Sequence, residues 1–290
     1  MSTNPTNASA APSVNQTELR AIRDHMSLRG PDGSGEWFSQ DGRVGLGHRR
    51  LAIIDLSERA AQPMASGDGR YLITFNGEIY NYHELRRSLE ANGRTFVSDS
   101  DTEVLLQLYA AKGEAMLGEL RGMFAFAIWD TVSHTLFAAR DAFGIKPLYF
   151  ADDGKTLRFA SQVKALLQGN VDASPEPAGH VGFFLWGSVP APWTLFRGIR
   201  ALPAGHFLRV TANGRCQQSE WTSVRRLIQD AENQTVSGSI DEALEAISDS
   251  IHDSVKAHMI ADVPVGVFLS SGLDSCMLGK HRYRCNSSFS

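Results

Sequence analysis

The chain has 290 residues, with 28 Lys and Arg against 32 Asp and Glu, a formal charge of -4. That balance lacks the basic field that non-specific nucleic-acid binding needs, and no apolar run approaches the roughly 18 residues of a membrane span. Hydrophobic residues at 42% and charged residues at 21% give a globular composition, long enough for one large domain or two.

Residues 2–17 are rich in Ser, Asn, Thr, Ala and Pro and carry neither a basic n-region nor an apolar h-region, so residues 1–20 are expected to be a disordered tail rather than a signal peptide. The glycosylation-type matches at Asn7 and Asn15 are then incidental. Cys216, Cys276 and Cys285 are too few for a disulfide framework, which points to a cytoplasmic protein. Short apolar runs at 43–46, 51–55, 71–75, 125–129, 135–140, 148–150 and 157–160 are predicted strands of a sheet covered on one face. A helix is predicted from Asn81 as N-cap, with Glu84 three residues on, Leu85 and Leu89 on one face and a stop at Gly93. A second follows the Ser100 to Glu103 capping box, carries Val104, Leu105 and Leu108, and closes at Gly113.

These elements make a domain over residues 21–209. Residues 210–238 turn polar and read as a linker, with 221–228 hinting at a short element. A second domain over 239–290 opens with a Ser239 to Glu242 capping box and a stripe of Ile240, Leu244, Ile247, Ile251 and Val255. A predicted strand at 265–269 then runs into a loop of hydroxyls and small residues, and the last fifteen residues show no periodicity.

Two constellations carry chemistry. Arg50, Asn76, Gly77, Glu78 and Asp101 pair a guanidinium that grips a carboxylate with carboxylates that hold an ammonium, a set suited to a zwitterionic amino acid. Asn76 and the Gly77 amide could stabilise an oxyanion. Taken singly, Asn76-Gly77 is more often a hairpin turn, Asp101 a first-turn charge and Arg50 a surface ion-pair member. The second constellation, Ser270, Ser271, Gly272, Leu273, Asp274 and Ser275, offers amides and hydroxyls to a phosphate, against a plain Ser/Gly turn as the bland alternative. The aromatic stretch from Phe183 to Trp193 reads as core, and the nine histidines show no metal spacing.

The ordered motifs Arg29-Gly-Pro-Asp32, Gly47-His48-Arg49-Arg50-Leu51, Gln62-Pro-Met64, Phe75-Asn-Gly-Glu-Ile-Tyr-Asn81, Ser100-Asp-Thr-Glu103, Gly122-Met-Phe-Ala-Phe-Ala127, Gly144-Ile-Lys-Pro-Leu-Tyr149 and Asp262-Val-Pro-Val-Gly266 resemble one family. It is the glutamine-dependent asparagine synthases, in the class II glutamine amidotransferase group. The resemblance implies an α+β fold: a four-layer αββα N-terminal-nucleophile glutaminase domain, followed by the start of an α/β pyrophosphate-loop adenylating domain. It implies glutamine, aspartate and ATP as ligands with Mg²⁺ as cofactor, no resident metal site, and leaves a homodimer open. Arg50 would take the glutamine carboxylate, with Leu51, Ala52, Ile53 and Ile54 lining the pocket. Asn76 and Gly77 would form the oxyanion hole, and Glu78 and Asp101 would hold the ammonium. Leu269 with Ser270 to Ser275 would contact ATP.

Three departures from the family stand out. Its N-terminal nucleophilic Cys has no counterpart before Cys216, Leu28 stands where a His precedes the Arg-Gly-Pro-Asp motif, and Ser271 replaces a glycine in the pyrophosphate loop. Ser2 is a poor replacement nucleophile, so no glutamine hydrolysis is expected of this chain. The leading expectation is therefore an asparagine synthase relative cut short at both ends. The alternatives are a non-catalytic glutamine-binding module and a glutamine-independent amide-forming ligase of the β-lactam synthetase type.

Overall fold

A computed structural model describes residues 12–233 and 238–286. Most of the expected tail, Ser2 and Asn7 included, and residues 234–237 of the expected linker lie outside the described residues. The chain divides into two compact units. The first comprises Met1–Leu51, Ala61–Gly77 and Met123–Thr222, and the second Ala52–Ala60, Glu78–Gly122 and Ser223–Ser290.

Within the first unit, part of the expected tail is a helix, α1 (Gln16–Asp24). The Asn15 side chain caps it by accepting the Glu18 amide at 3.1 Å, and Glu18 accepts Arg158 Nε at 2.6 Å. The capping signal is present in the sequence, hidden by a polar outer face. Strands β1 (Gly33–Phe38) and β2 (Gly45–Arg50) form an antiparallel hairpin, so the strand expected at 43–46 starts later and runs to Arg50. The strand expected at 51–55 does not form. Asp55, in the 52–60 stretch of the second unit, adopts a left-handed φ of 47°, and its carboxylate accepts the Ser57 amide at 3.0 Å and hydroxyl at 2.6 Å, a side-chain turn that competes with a ladder.

Strand β3 (Met64–Ala65) pairs with β4 (Tyr71–Ile79), which continues past the expected end at residue 75. The chain leaves the first unit within β4, after Gly77. In the second unit, α2 (Tyr82–Ala91) starts where predicted, yet the Asn81 side chain does not cap it. That amide instead accepts from the Arg121 nitrogen at 3.0 Å and donates to the Glu119 carbonyl at 2.8 Å. Helix α3 (Asp101–Lys112) starts at Ser100 and ends at Gly113, with φ 56°. Glu103 does not complete a capping box. Its carboxylate accepts the Val97 and Ser98 amides at 3.0 and 2.7 Å and the Ser98 hydroxyl at 2.6 Å.

The chain returns to the first unit in β5 (Gly122–Asp130), followed by β6 (Thr135–Arg140), β7 (Tyr149–Asp152), β8 (Leu157–Ala160), α4 (Val163–Leu166), α5 (Pro177–Trp186), β9 (Arg200–Ala201), β10 (His206–Val210) and β11 (Cys216–Glu220). One six-stranded sheet runs β11-β10-β6-β5-β4-β3, and a three-stranded sheet runs β8-β7-β9. The large sheet is not covered on one face only, as expected. Both faces of β5 are buried: Phe124, Phe126 and Ile128 alternate with Ala125 and Ala127. The alanine face, with Leu136 and Ala138, packs against Leu148, Phe150, Leu157 and Phe159, so small side chains let the second sheet approach.

Two further expectations fail in this unit. Residues 216–220, placed in a linker, pair as an edge strand with β10, and an edge strand carries polar residues without loss. Phe184, Leu185 and Trp186, read as core, are 71–83% exposed on α5.

The remainder of the second unit holds α6 (Val224–Glu232), α7 (Ile240–Ala257) and α8 (Leu273–Asn286). Helix α6 overlaps the element hinted at in 221–228. The Ser239 and Glu242 capping box forms in both directions, as predicted. The expected stripe is not buried, however: Ile240, Leu244 and Ile247 are exposed, and Ala257 is the buried residue of α7. Residues 265–269 form no strand, because no neighbouring strand among the described residues offers a ladder, and Phe268 is fully exposed. The final stretch expected to be aperiodic is helical through Asn286. No described helix is long and apolar enough to cross a membrane.

Candidate functional site

In the first unit, the turn after α1 fixes the end of β2. A Cβ on Gly30 would strike the Arg49 carbonyl and lie 2.7 Å from the Arg50 nitrogen, while the Asp32 amide donates to the Arg50 carbonyl at 2.9 Å. The Arg29 to Asp32 motif thus seats the backbone of Arg50, whose side chain is half-buried. His48 Nδ1 lies 3.1 Å from the Thr74 hydroxyl of β4. Burial, and then the Arg50 charge, push its pKa down to about 4, so the imidazole is neutral at pH 7 and the cationic charge here is that of Arg50.

Asn76 and Gly77 sit inside β4, which removes the hairpin-turn reading. Gly77 is dictated by packing: a Cβ would collide with the Met123 carbonyl and lie 2.8 Å from the Phe124 Cα. That close approach of backbone to backbone is a second reason for glycine here, and the spacing alone did not reveal it.

In the second unit, Glu78 at the end of β4 and Asp101 at the start of α3 interact. Asp101 is buried and accepts the Ile79 amide at 3.0 Å. Burial first, and then the Glu78 charge, raise its pKa to about 7, outweighing the Ile79 and Thr102 amides and the Ser100 hydroxyl that favour the anion. Asp101 is therefore more than a surface charge complementing a helix dipole. The negative charge of Glu78 thus opposes ionisation of the buried Asp101.

The loop expected to line a pocket is held by side chains that the sequence reading did not single out. Ile54 is buried, Ala52 and Ile53 are half-buried and Leu51 is exposed. Asp55 accepts the Asp99 amide at 2.8 Å, and its own amide donates to Asp262 Oδ2 at 2.7 Å. The Asp262 amide in turn donates to the Ile53 carbonyl at 2.9 Å. Asp55-Leu-Ser57 is a side-chain turn signal, legible in retrospect; the partnership with Asp262 spans 207 residues and has no local signature. Nearby, buried Tyr82 has its pKa raised to about 12 by burial and then by Asp262, Asp101 and Asp99.

The second constellation is brought together, but it closes on itself. Ser270 Oγ lies 2.8 Å from Ser275 Oγ, the Ser270 amide donates to Ser275 Oγ at 3.2 Å, and the Gly272 amide donates to Ser270 Oγ at 3.2 Å. Leu269, Ser271, Leu273 and Asp274 are exposed. The donor chemistry suits phosphate, and in the loop as folded the Ser270 and Gly272 amides and the Ser270 and Ser275 hydroxyls bond within the loop. No group of three His, Cys, Asp or Glu among the described residues is placed to hold a metal ion.

The sequence matches the glutamine amidotransferase domain family over residues 6–222 and the asparagine synthase family over residues 246–281. The chain belongs to the glutamine amidotransferase domain family. Its fold class is thus the α+β αββα glutaminase domain followed by the start of the asparagine synthase domain, as the motifs implied. Among similar proteins, asparagine synthetase [glutamine-hydrolyzing] 1 of Bacillus subtilis is 40% identical over 269 residues, 92% of this chain and 41% of its own length. A putative asparagine synthetase [glutamine-hydrolyzing] of Mycobacterium tuberculosis is 40% identical over 274 residues, 90% of this chain and 41% of its own. Amidase chry2 of Gibberella zeae is 35% identical over 89% of this chain and 37% of its own. The chain therefore spans about two-fifths of the length of these relatives. Glutamine phosphoribosylpyrophosphate amidotransferase from Bacillus subtilis superposes with a TM-score of 0.45 at 23% identity, covering 62% of this chain and 35% of that one.

Proposed function

We propose that this chain binds glutamine as the amide donor of a glutamine-dependent asparagine synthase. Arg50 grips the α-carboxylate, and Leu51, Ala52, Ile53 and Ile54 line the pocket. Glu78 and Asp101 hold the ammonium, while Asn76 and the Gly77 amide face the carboxamide oxygen, where charge would develop only on attack by a nucleophilic Cys that the residues before Cys216 do not supply. The observation that carries this reading is the Glu78 and Asp101 pair, whose mutual opposition a ligand ammonium would cancel. The neutral His48 supports it by adding no second positive charge beside Arg50.

In the whole protein, released ammonia would amidate aspartate with ATP and Mg²⁺, in the cytoplasm. ATP enters this reading through the asparagine synthase match alone, since the loop from Ser270 to Ser275 bonds to itself. Calorimetry tests the binding step. Glutamine should give a saturable heat that Arg50→Ala abolishes, and a folded chain that takes up no glutamine would reject the reading.

A further inference from the structure

The stretch from α7 to the loop at Ser270 does more than connect. It touches parts of the second unit that belong to the first domain's sequence in three places. The Asp253 carboxylate of α7 pairs with the Arg121 guanidinium. The His258 ring at the end of α7 lies 4.5 Å from the Tyr80 ring, two residues beyond Glu78. Asp262 then meets the loop at 53–55 through two bonds of opposite polarity. Its Oδ2 accepts the Asp55 amide at 2.7 Å, and its amide donates to the Ile53 carbonyl at 2.9 Å.

That loop needs such support. It is not in a ladder, and Asp55 holds a left-handed φ that a non-glycine residue adopts only with local help. The Ser57 and Asp99 contacts hold the carboxylate of Asp55, and Asp262 holds the backbone on either side of Ile54. We propose that Asp262 is a positioning residue for glutamine: its two bonds to Ile53 and Asp55 fix the pocket-lining loop, so that glutamine affinity depends on a residue of the asparagine synthase segment. This rests on the glutamine-binding reading above. It goes further by giving that segment a role in the first site that is independent of ATP.

Two measurements test it on the full chain. Amide hydrogen exchange comes first: the Asp55 and Asp262 amides should be protected in the parent, and exchange at Asp55 should accelerate at least tenfold in Asp262→Ala, as loss of a charge-assisted bond of about 1.5 kcal/mol requires. Free exchange of Asp55 in the parent overturns the clamp, whether or not any variant folds. Calorimetry with glutamine comes second. Asp262→Ala should bind about threefold to tenfold more weakly at temperatures where it is fully folded, while Asp262→Asn, which keeps an acceptor oxygen, should stay within about twofold of the parent. A lower melting temperature with unchanged affinity would make Asp262 merely structural and overturn the proposal. If the parent itself binds no glutamine, the functional reading and the dependence of affinity on Asp262 both fall, and exchange at Asp55 still decides whether the clamp exists.

Discussion

Helices α3 and α7 lie in the same unit and open with the same signal, Ser-x-x-Glu. In α7, Ser239 and Glu242 bond reciprocally at an exposed helix end. In α3, Ser100 caps the helix while Glu103 turns away to gather the Val97 and Ser98 amides and the Ser98 hydroxyl. Seven of the twelve residues of α3 are buried, whereas Ile240, Leu244 and Ile247 of α7 lie open to solvent. A capping pattern therefore fixes where a helix starts and leaves its surroundings undetermined; the same glutamate is a local cap in one place and a tertiary fastener in the other.

Substitutions can break this contrast. Leu105→Ala empties a fully buried site in α3 and should cost about 2–5 kcal/mol in urea unfolding, while Leu244→Ala in α7 should stay within about 0.5 kcal/mol. Equal losses would mean that α7 is packed as α3 is. Glu103→Ala strands buried donors and should cost about 3 kcal/mol, against about 0.5 kcal/mol for Glu242→Ala. Gly77→Ala forces a Cβ into the neighbouring backbone and should cost about 1–3 kcal/mol, whereas Gly266→Ala, with open space around it, should be nearly silent.

A further test is pH. Asp101 has its folded pKa raised to about 7, above its unfolded value, so the folded state holds this proton longer than the unfolded chain does. Its contribution is greatest below about pH 4 and is lost as pH rises towards 7, with a slope of at most about 1.4 kcal/mol per pH unit. His48 acts in the opposite sense: with its pKa lowered to about 4, it adds stability as pH rises from 4 to 6.5. In this window the two contributions largely cancel in the parent, so Asp101→Asn should leave a net rise of stability with pH, a comparison made by unfolding both proteins across that range.

Much of the fold was legible where one local rule decided the outcome. The strands at 135–140 and 157–160, the helix starts at Ser100 and Ser239 and the stop at Gly113 all followed from alternation, capping or glycine chemistry. The failures came where tertiary partners override local pattern. Asp55 and Ser57 turned an apolar run into a loop, β10 recruited the polar stretch 216–220 as an edge, and residues 265–269 found no strand to join. The site divides in the same way. The types and order of Arg50, Asn76, Gly77, Glu78 and Asp101 were readable, but the burial that holds Asp101 near neutrality and the long-range bond to Asp262 were not.

The central claim is that Glu78 and Asp101 receive the ammonium of glutamine. Calorimetry at pH 7 in two buffers of different ionisation enthalpy measures it most directly, because an ammonium that settles on Asp101 must expel its proton. The account predicts glutamine binding with net proton release, tighter at pH 8 than at pH 6, and loss of that release in Asp101→Asn. Binding without proton release, or binding unchanged in Asp101→Asn, would contradict it.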